Sequence, residues 1–520
     1  MAAPDYLIIG AGSAGCVLAR RLVDAGRSVT LVEAGPPDYR MDYRIHMPAA
    51  LSHVLSGTTY NWDYRTVPEP HMAGRTMFCP RGKTLGGSSS INGMIYVRGH
   101  QQDFNQWAAL SGYDDWRAEH CLPFFKRAES VAFDAGELRG RDGPMKITRG
   151  AMDNPLITAF LEAGQQAGHD YSPDLNGDLQ EGVGPFDRTI SCGRRFSTAR
   201  GYLDSVRKSG LLTILTRAQA TRLCSDNDRV TGAEIAERGA RRVINAGETV
   251  LCAGAIDSPR LLLRSGIGDP AIIGGAGLSV LHELPGVGRN LQDHLEVYVQ
   301  QACTAPVSIY PALKWYNQAW IGALWYLAKQ GPGATNHFEA GGFLRGSDSA
   351  PWPDLQMHFL PVAMNYDGTA TAGQHGFQIH VGPMKPVSRG QVTLSGIQFN
   401  YAEAQADREA MRSGIRKVRE IISQPAFDQF RGVELTPGPH IQSDAAIDSF
   451  VAQHAESAYH PCGTCRMGQD SMAVVDNTGC VHGLDGLRVV DASIMPAITN
   501  GNLNAPVIML AEKIAAAMLA

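Results

Sequence analysis

The run Tyr6-Leu-Ile-Ile9-Gly10-Ala-Gly12-Ser-Ala-Gly15 constrains this chain more than any other feature, because it demands a strand, a tight turn and a helix in about ten residues. Tyr6 to Ile9 is a short apolar strand, and Val17, Leu18 and Leu22 form the apolar face of the helix that follows. Gly26 ends that helix, and Ser28 to Val32 make a second buried strand that finishes at Glu33. Each glycine does a mechanical job, Gly10 making the turn, Gly12 allowing close approach to a pyrophosphate and Gly15 packing the helix on the strand. The helix start at Ser13 and Ala14 offers free amides and a positive dipole to phosphates. Glu33, followed by Ala34, stands where a carboxylate accepts ribose hydroxyls, and its charge disfavours a 2′-phosphate. The pattern therefore predicts dinucleotide binding and leaves NAD and FAD both open.

At 520 residues the chain exceeds one ordinary core, which predicts two domains. A net charge of -5 argues against nucleic acid as a partner. No apolar run approaches the roughly 18 residues of a spanning helix. The start Met1-Ala-Ala-Pro-Asp5 has no basic region and predicts a cytoplasmic protein. Of ten cysteines, only Cys462 and Cys465 form a close pair. A second ligand pair for zinc is missing and Arg466 stands where haem attachment needs His, so no metal is predicted and the thiols read as reduced.

A second glycine cluster, Gly82-Lys-Thr-Leu85-Gly86-Gly87-Ser88-Ser-Ser-Ile91-Asn92-Gly93-Met-Ile95, concentrates small residues and amide donors, anchored by Leu85 and Ile91. Such a loop suits a wall of backbone donors facing a large flat cofactor. The chain continues with Ala253-Gly254-Ala-Ile-Asp-Ser258-Pro259, Ser265-Gly-Ile-Gly268 and the C-terminal Leu487-Arg-Val-Val-Asp491-Ala492.

In this order, these motifs resemble the glucose–methanol–choline oxidoreductase family along essentially the whole chain. The longest matching stretches point to the choline-oxidising branch: TYNWDYRTVPEP (59–70), STARGYLD (197–204), HELPGVGRNLQDHLE (282–296), TNHFEAGGF (335–343), YHPCGTCRMG (459–468) and LRVVDASIMPAITNGNLNAP (487–506). The resemblance implies an α/β fold: a Rossmann-like FAD-binding domain from residues 1–150, 205–300 and 455–520, and an α+β substrate domain with an antiparallel sheet from 151–204 and 301–454. Segments 245–267 and 487–496 read as short strands and turns returning to the Rossmann sheet. Asp491, Ala492 and Asn502 join the expected FAD contacts. Some relatives link FAD covalently through a His in the second loop; here that position is Ile91, which predicts non-covalent FAD. The passage from Leu394 to Asn400 looks shortened. The electron acceptor is expected to be oxygen or a quinone, with peripheral membrane association an option.

Oxidising an alcohol removes a hydroxyl proton and a carbon-bound hydride, and histidine is the natural proton acceptor near neutrality. His460, between Tyr459 and Pro461, matches the family's catalytic His, and its partner falls at Asn504, which also reads as the N-cap of the last helix. A quaternary ammonium is held by aromatic faces and a carboxylate. Trp62, Tyr459, Trp315 and Trp325 are candidates for the cage, Glu339 for the carboxylate, and His358 for a contact near the substrate oxygen. The leading expectation is choline oxidation to betaine aldehyde; the alternatives are another primary alcohol, a non-redox flavin lyase, or an NAD enzyme.

Overall fold

The computed structural model describes residues 3–365 and 373–520. A parallel five-stranded sheet runs in the order Leu212–Thr216, Val29–Glu33, Tyr6–Ile9, Glu248–Leu251, Leu487–Val489. Strand Val29–Glu33 is buried at every position, as a strand covered on both faces must be. The helix Ser13–Asp24 follows the first strand directly and buries Ala14, Val17, Leu18 and Leu22. It packs on the last helix, Asn504–Leu519. Their apolar contact encloses one ionic group: Arg21 donates twice to Glu512 (2.8 and 2.6 Å), and the Tyr202 hydroxyl donates to the same fully buried carboxylate (2.8 Å).

The chain from 254 corrects one expectation. Gly254–Arg264 is an α-helix after the fourth sheet strand, not a run of strands and turns. Pro259 sits inside it, while Leu261, Leu262 and Leu263 bury its core-facing side. An antiparallel three-stranded unit, Ala218–Asp226, Arg229–Glu237 and Ala240–Asn245, precedes it.

The second large sheet is antiparallel and runs Arg431–Thr436, Leu295–Cys303, Gly376–Pro383, Leu355–Leu360, Ala340–Leu344, Gly182–Pro185, with Glu456–Ser457 added beside residues 295–296. Strand Leu295–Cys303 thus crosses position 300, so this sheet begins before the expected boundary. Strand alternation gives it two unlike faces. Val297, Val299, Met357, Phe359, Ile379 and Val381 point into an apolar core shared with helices Pro155–Gln166 and Gln405–Ile422. Side chains of that size contribute roughly 1.5–3 kcal/mol each on full burial. The intervening residues Glu296, Tyr298, His358 and His380 line the opposite side, where the pocket lies. The register sets Tyr298 opposite His380 and His380 opposite His358, so three strands present one polar row.

The short passage near Leu394 closes as a tight hairpin, Gln391–Val392 with Ile397–Gln398, and the Thr393 amide donates to the Gly396 carbonyl (2.9 Å). All ten cysteines are free thiols, and Cys462 and Cys465 are fully buried.

Candidate active site

One continuous pocket joins the first sheet's C-terminal edge to the polar row of the second. At its phosphate end, Gly10 has φ +105°, and a Cβ there would lie 2.4 Å from the Cys252 carbonyl. A Cβ on Gly15 would strike the Gly10 carbonyl at 2.0 Å, so Gly15 serves the turn's packing and does not itself line the pocket. The second glycine loop closes against the first: Gly87, at φ +52°, would place a Cβ 2.6 Å from Gly12 Cα. The Gly86 amide donates to the Ala11 carbonyl (2.7 Å). Leu85 and Gly86 stand behind the pocket, whereas Gly82, Gly87, Ser88, Asn92, Gly93 and Ile95 line it.

Glu33 is buried; its carboxylate accepts from the Ala11 amide (3.1 Å) and the Gly35 amide (2.8 Å). Burial raises its pKa to about 7. Asp491 accepts from the Gly254 amide (2.8 Å) and the Ser258 hydroxyl (2.6 Å), which ties the 254 helix to the C-terminal strand. Ala34, Ala253, Gly254 and Ala492 complete this wall. The uncapped helix start at Gly12, the open glycine surfaces and the pocket-lining Glu33 carboxylate fit the body of FAD. Buried Ile91 lines the pocket and offers no nucleophilic atom for a covalent link.

At the far end His460 is held by its backbone and both ring nitrogens. Tyr459 before it is forced to φ +66° by bonds from its amide to Ser457 (2.8 Å) and from Arg81 to its carbonyl (2.6 Å). The His460 amide donates to buried Asp293 (2.7 Å). His294 Nε2 faces the Met384 carbonyl (3.3 Å), which only accepts, so His294 carries its proton on Nε2 and accepts at Nδ1. His460 Nδ1 lies 3.0 Å from that acceptor and must hold the proton, leaving His460 Nε2 as a lone pair. The Asn502 amide nitrogen donates to this Nε2 (3.1 Å), and Gln356 donates to the Asn502 oxygen (3.2 Å), fixing the amide's orientation. Burial, with neighbouring His294, His358 and Arg81, pushes the His460 pKa well below 6.5. His294 is driven down to about 3 and His358 to about 4, burial being the main cause in each. The imidazoles are neutral, as a proton acceptor must be.

This geometry corrects the expected partner. The amide on His460 is Asn502, whereas Asn504 accepts from the Ser13 hydroxyl (2.7 Å) and links the two packed helices. Nor is Asn504 the N-cap: the last helix begins at Asn504 after Leu503. Side chains two residues apart at a helix start point in different directions, and that decides which one reaches the imidazole.

The expected carboxylate is corrected as well. Glu339 pairs with Arg188 (3.2 Å), accepts from Thr335 (3.1 Å) and the Met152 amide (2.9 Å), and lies outside the pocket lining. It precedes the strand Ala340–Leu344, and its neighbour Phe338 lines the pocket instead. The carboxylate that lines the pocket beside His358 and His380 is Glu296, with His380 Nδ1 at 3.5 Å and His358 Nδ1 at 4.0 Å. This trio has the composition of a metal site. Gln378 gives it another character: its oxygen accepts from Gln300 (2.9 Å) and the Met364 amide (2.9 Å), so its nitrogen donates to His380 Nε2 (2.7 Å). His380 therefore points Nδ1–H at Glu296 and has no lone pair for an ion there.

The aromatic candidates separate. Tyr459 lines the pocket, as do Tyr298, stacked on His380 (3.7 Å between centroids), and Phe338. Trp62 also lines it, but Tyr64 stacks on its ring and the Lys83 ammonium lies 4.5 Å from its centroid. Trp325 is buried elsewhere and donates to the Gly193 carbonyl (2.7 Å), and Trp315 is exposed. The sequence signal for Asp293, His294 and Glu296 lay in the 282–296 stretch, and the alternation Glu296, Tyr298, Gln300 marks one strand face.

A parallel dinucleotide-binding sheet joined through one pocket to a neutral, oriented imidazole defines an oxidoreductase of the flavoprotein type. The chain belongs to the GMC oxidoreductase family, whose N- and C-terminal models match residues 4–296 and 386–511. It is 53% identical over 98% of its length to a protein named oxygen-dependent choline dehydrogenase from Chromohalobacter salexigens, covering 94% of that protein. A protein of the same name from Pseudomonas savastanoi pv. phaseolicola is 54% identical over 98% of this chain and 92% of its own. Among solved structures, pyridoxine 4-oxidase from Mesorbium loti aligns with a TM-score of 0.90 at 35% identity, covering 99% of this chain and 98% of its own.

Proposed function

We propose that this protein oxidises choline to betaine aldehyde with non-covalently bound FAD. What carries the reading is the pairing, in one pocket, of a neutral imidazole, its unprotonated Nε2 held by the Asn502 amide, with a carboxylate set among aromatic rings. When bound, the flavin supplies the hydride acceptor. His460 Nε2 takes the hydroxyl proton, Asn502 and His294 hold its ring and tautomer, and His358 lies beside them. Glu296 receives the quaternary ammonium, with Tyr298, Phe338 and Tyr459 as apolar and π surface. The names of the relatives support both choline and oxygen as the acceptor.

The test is anaerobic mixing of the yellow holoenzyme with choline. Bleaching is expected, and its absence with every alcohol would favour a non-redox lyase. His460→Gln should retain FAD and slow bleaching by about 10²–10⁴-fold; an unchanged rate would remove His460 as the base.

A surface feature supports peripheral membrane association. Helix Trp315–Ala328 has no charged residue and exposes Trp315 (81%), Trp320 (67%) and Leu327 (86%). From Gln301 to Phe338 there is no carboxylate, and Lys314 and Lys329 flank the helix. Trp and Tyr beside lysines suit the headgroup zone of an anionic bilayer. Among the described residues no helix is long and apolar enough to cross a membrane. Sedimentation with phosphatidylglycerol vesicles should capture the enzyme and lose the double variant Trp315→Ser/Trp320→Ser; equal recovery of both would refute the assignment.

A further inference from the structure

Arg195 is a cation without a counter-charge. It is fully buried, and its bonds all go to neutral oxygens: the carbonyls of Ile45 (2.8 Å), Ser89 (3.4 Å) and Asn92 (2.6 Å), and the Asn92 side-chain oxygen (2.7 Å). Among the described residues its Nη2 has no hydrogen-bond partner and it forms no ion pair with a carboxylate. Other deeply buried arginines here are compensated: Arg139 meets Glu129, Asp174 and Asp187, and Arg98 meets Glu129. Burial alone depresses Arg195, to about 9, with no charged neighbour acting on it. An isolated buried charge is costly and persists only where something offsets it.

The position of Arg195 shows what could offset it. The loop it holds lies along the pocket. Gly87 touches Gly12 at the phosphate end, and the Gly93 carbonyl is held by Asn336 (2.7 Å), two residues before Phe338, which faces His358 and His380 at the alcohol end. Residues 88–92 therefore run between those ends, along the stretch a flavin ring would occupy. The Asn92 oxygen is engaged by Arg195 and by the Met94 amide (3.1 Å), so what Asn92 offers the pocket is its Nδ2–H donor, polarised by the guanidinium.

We propose that Arg195, acting through Asn92, is the protein's counter-charge for the reduced flavin ring. When the substrate C–H bond breaks, a hydride (a proton with the bond's two electrons) passes to the ring while the hydroxyl proton goes to His460, so the ring's charge falls by one. Arg195 stabilises that charge from behind the loop as a positioning and electrostatic residue without touching substrate. This rests on the flavin reading and is independent of which alcohol is oxidised.

The deciding variant is Asn92→Asp, nearly isosteric, which sets a carboxylate against Arg195 and cancels the buried charge in place. Two readouts on the FAD-loaded protein bear on it: the two-electron midpoint potential, and the affinity for inorganic sulfite, which bonds to the flavin ring and leaves it negatively charged. We expect sulfite binding at least tenfold weaker and a midpoint lowered by about 30 mV or more, the equivalent of a tenfold loss. Arg195→Met should move both in the same direction, with partial recovery in Arg195→Lys; if Arg195→Met does not fold, Asn92→Asp decides alone. Wild-type potential and sulfite affinity in flavin-replete Asn92→Asp would overturn the proposal. Because neither readout involves choline, failure here is distinguishable from failure of the substrate assignment.

Discussion

Replacing Glu296 by Gln removes one negative charge while keeping nearly the same shape. The structure predicts that the replacement stays in place, because the Gln oxygen can still face His380 Nδ1–H, whose tautomer is fixed by Gln378. The loss is then almost purely Coulombic. A trimethylammonium nitrogen is shielded by its methyl groups, so its approach to a carboxylate is on the order of 5 Å. At an effective dielectric of about 20, two unit charges at that distance interact by about 3 kcal/mol. Glu296 has a side chain only 13% exposed, so solvent screening discounts this little. The expected result is a rise in KM for choline of roughly 100-fold, with the limiting rate of anaerobic flavin reduction changed far less. The control is 3,3-dimethylbutan-1-ol, in which carbon replaces the cationic nitrogen; its kcat/KM should stay within about threefold of the unmodified enzyme's. Equal losses on both alcohols would show that Glu296 acts on the chemistry or the fold. No loss on choline would mean the cation lies elsewhere.

Two further outcomes follow from the same geometry. Glu339→Gln weakens the buried pair with Arg188 and should lower the unfolding midpoint, yet leave KM for choline within about twofold; a large KM change would restore Glu339 as the cation's partner. His358 is buried and His337 partly buried, and desolvation pushes both pKa values down to about 4, so unfolding lets both take up protons below their ordinary 6.5. Their contribution is complete above pH 6.5 and is lost as pH falls toward 4, at about 1.4 kcal/mol per pH unit for each imidazole. Urea unfolding at pH 7.5, 6.5 and 5.5 should show that decline, and His337→Gln should make it shallower by one imidazole's share.

Linear patterns carried the nucleotide half of this protein. Gly10, Gly12, Gly15 and Glu33 lie within one strand–turn–helix–strand unit, where backbone geometry is local and each residue's role is set by its neighbours in the chain. The second glycine loop was legible for the same reason, although only the fold shows that Gly87 rests on Gly12. His460 could be picked from a matching motif. Its surroundings could not, because they come from residues 293–294, 356, 384 and 502.

The errors share one cause. Choosing between Asn502 and Asn504, or between Glu296 and Glu339, requires knowing which way a side chain points, and that is set by the backbone path at each position, not by residue type. The sequence by itself pointed to the glycine-lined turn as the dinucleotide site and to His460 as the imidazole proposed to serve the alcohol. Only tertiary structure decided which amide and which carboxylate join it, since the row Tyr298, His380, His358 exists only when three distant strands pair in register.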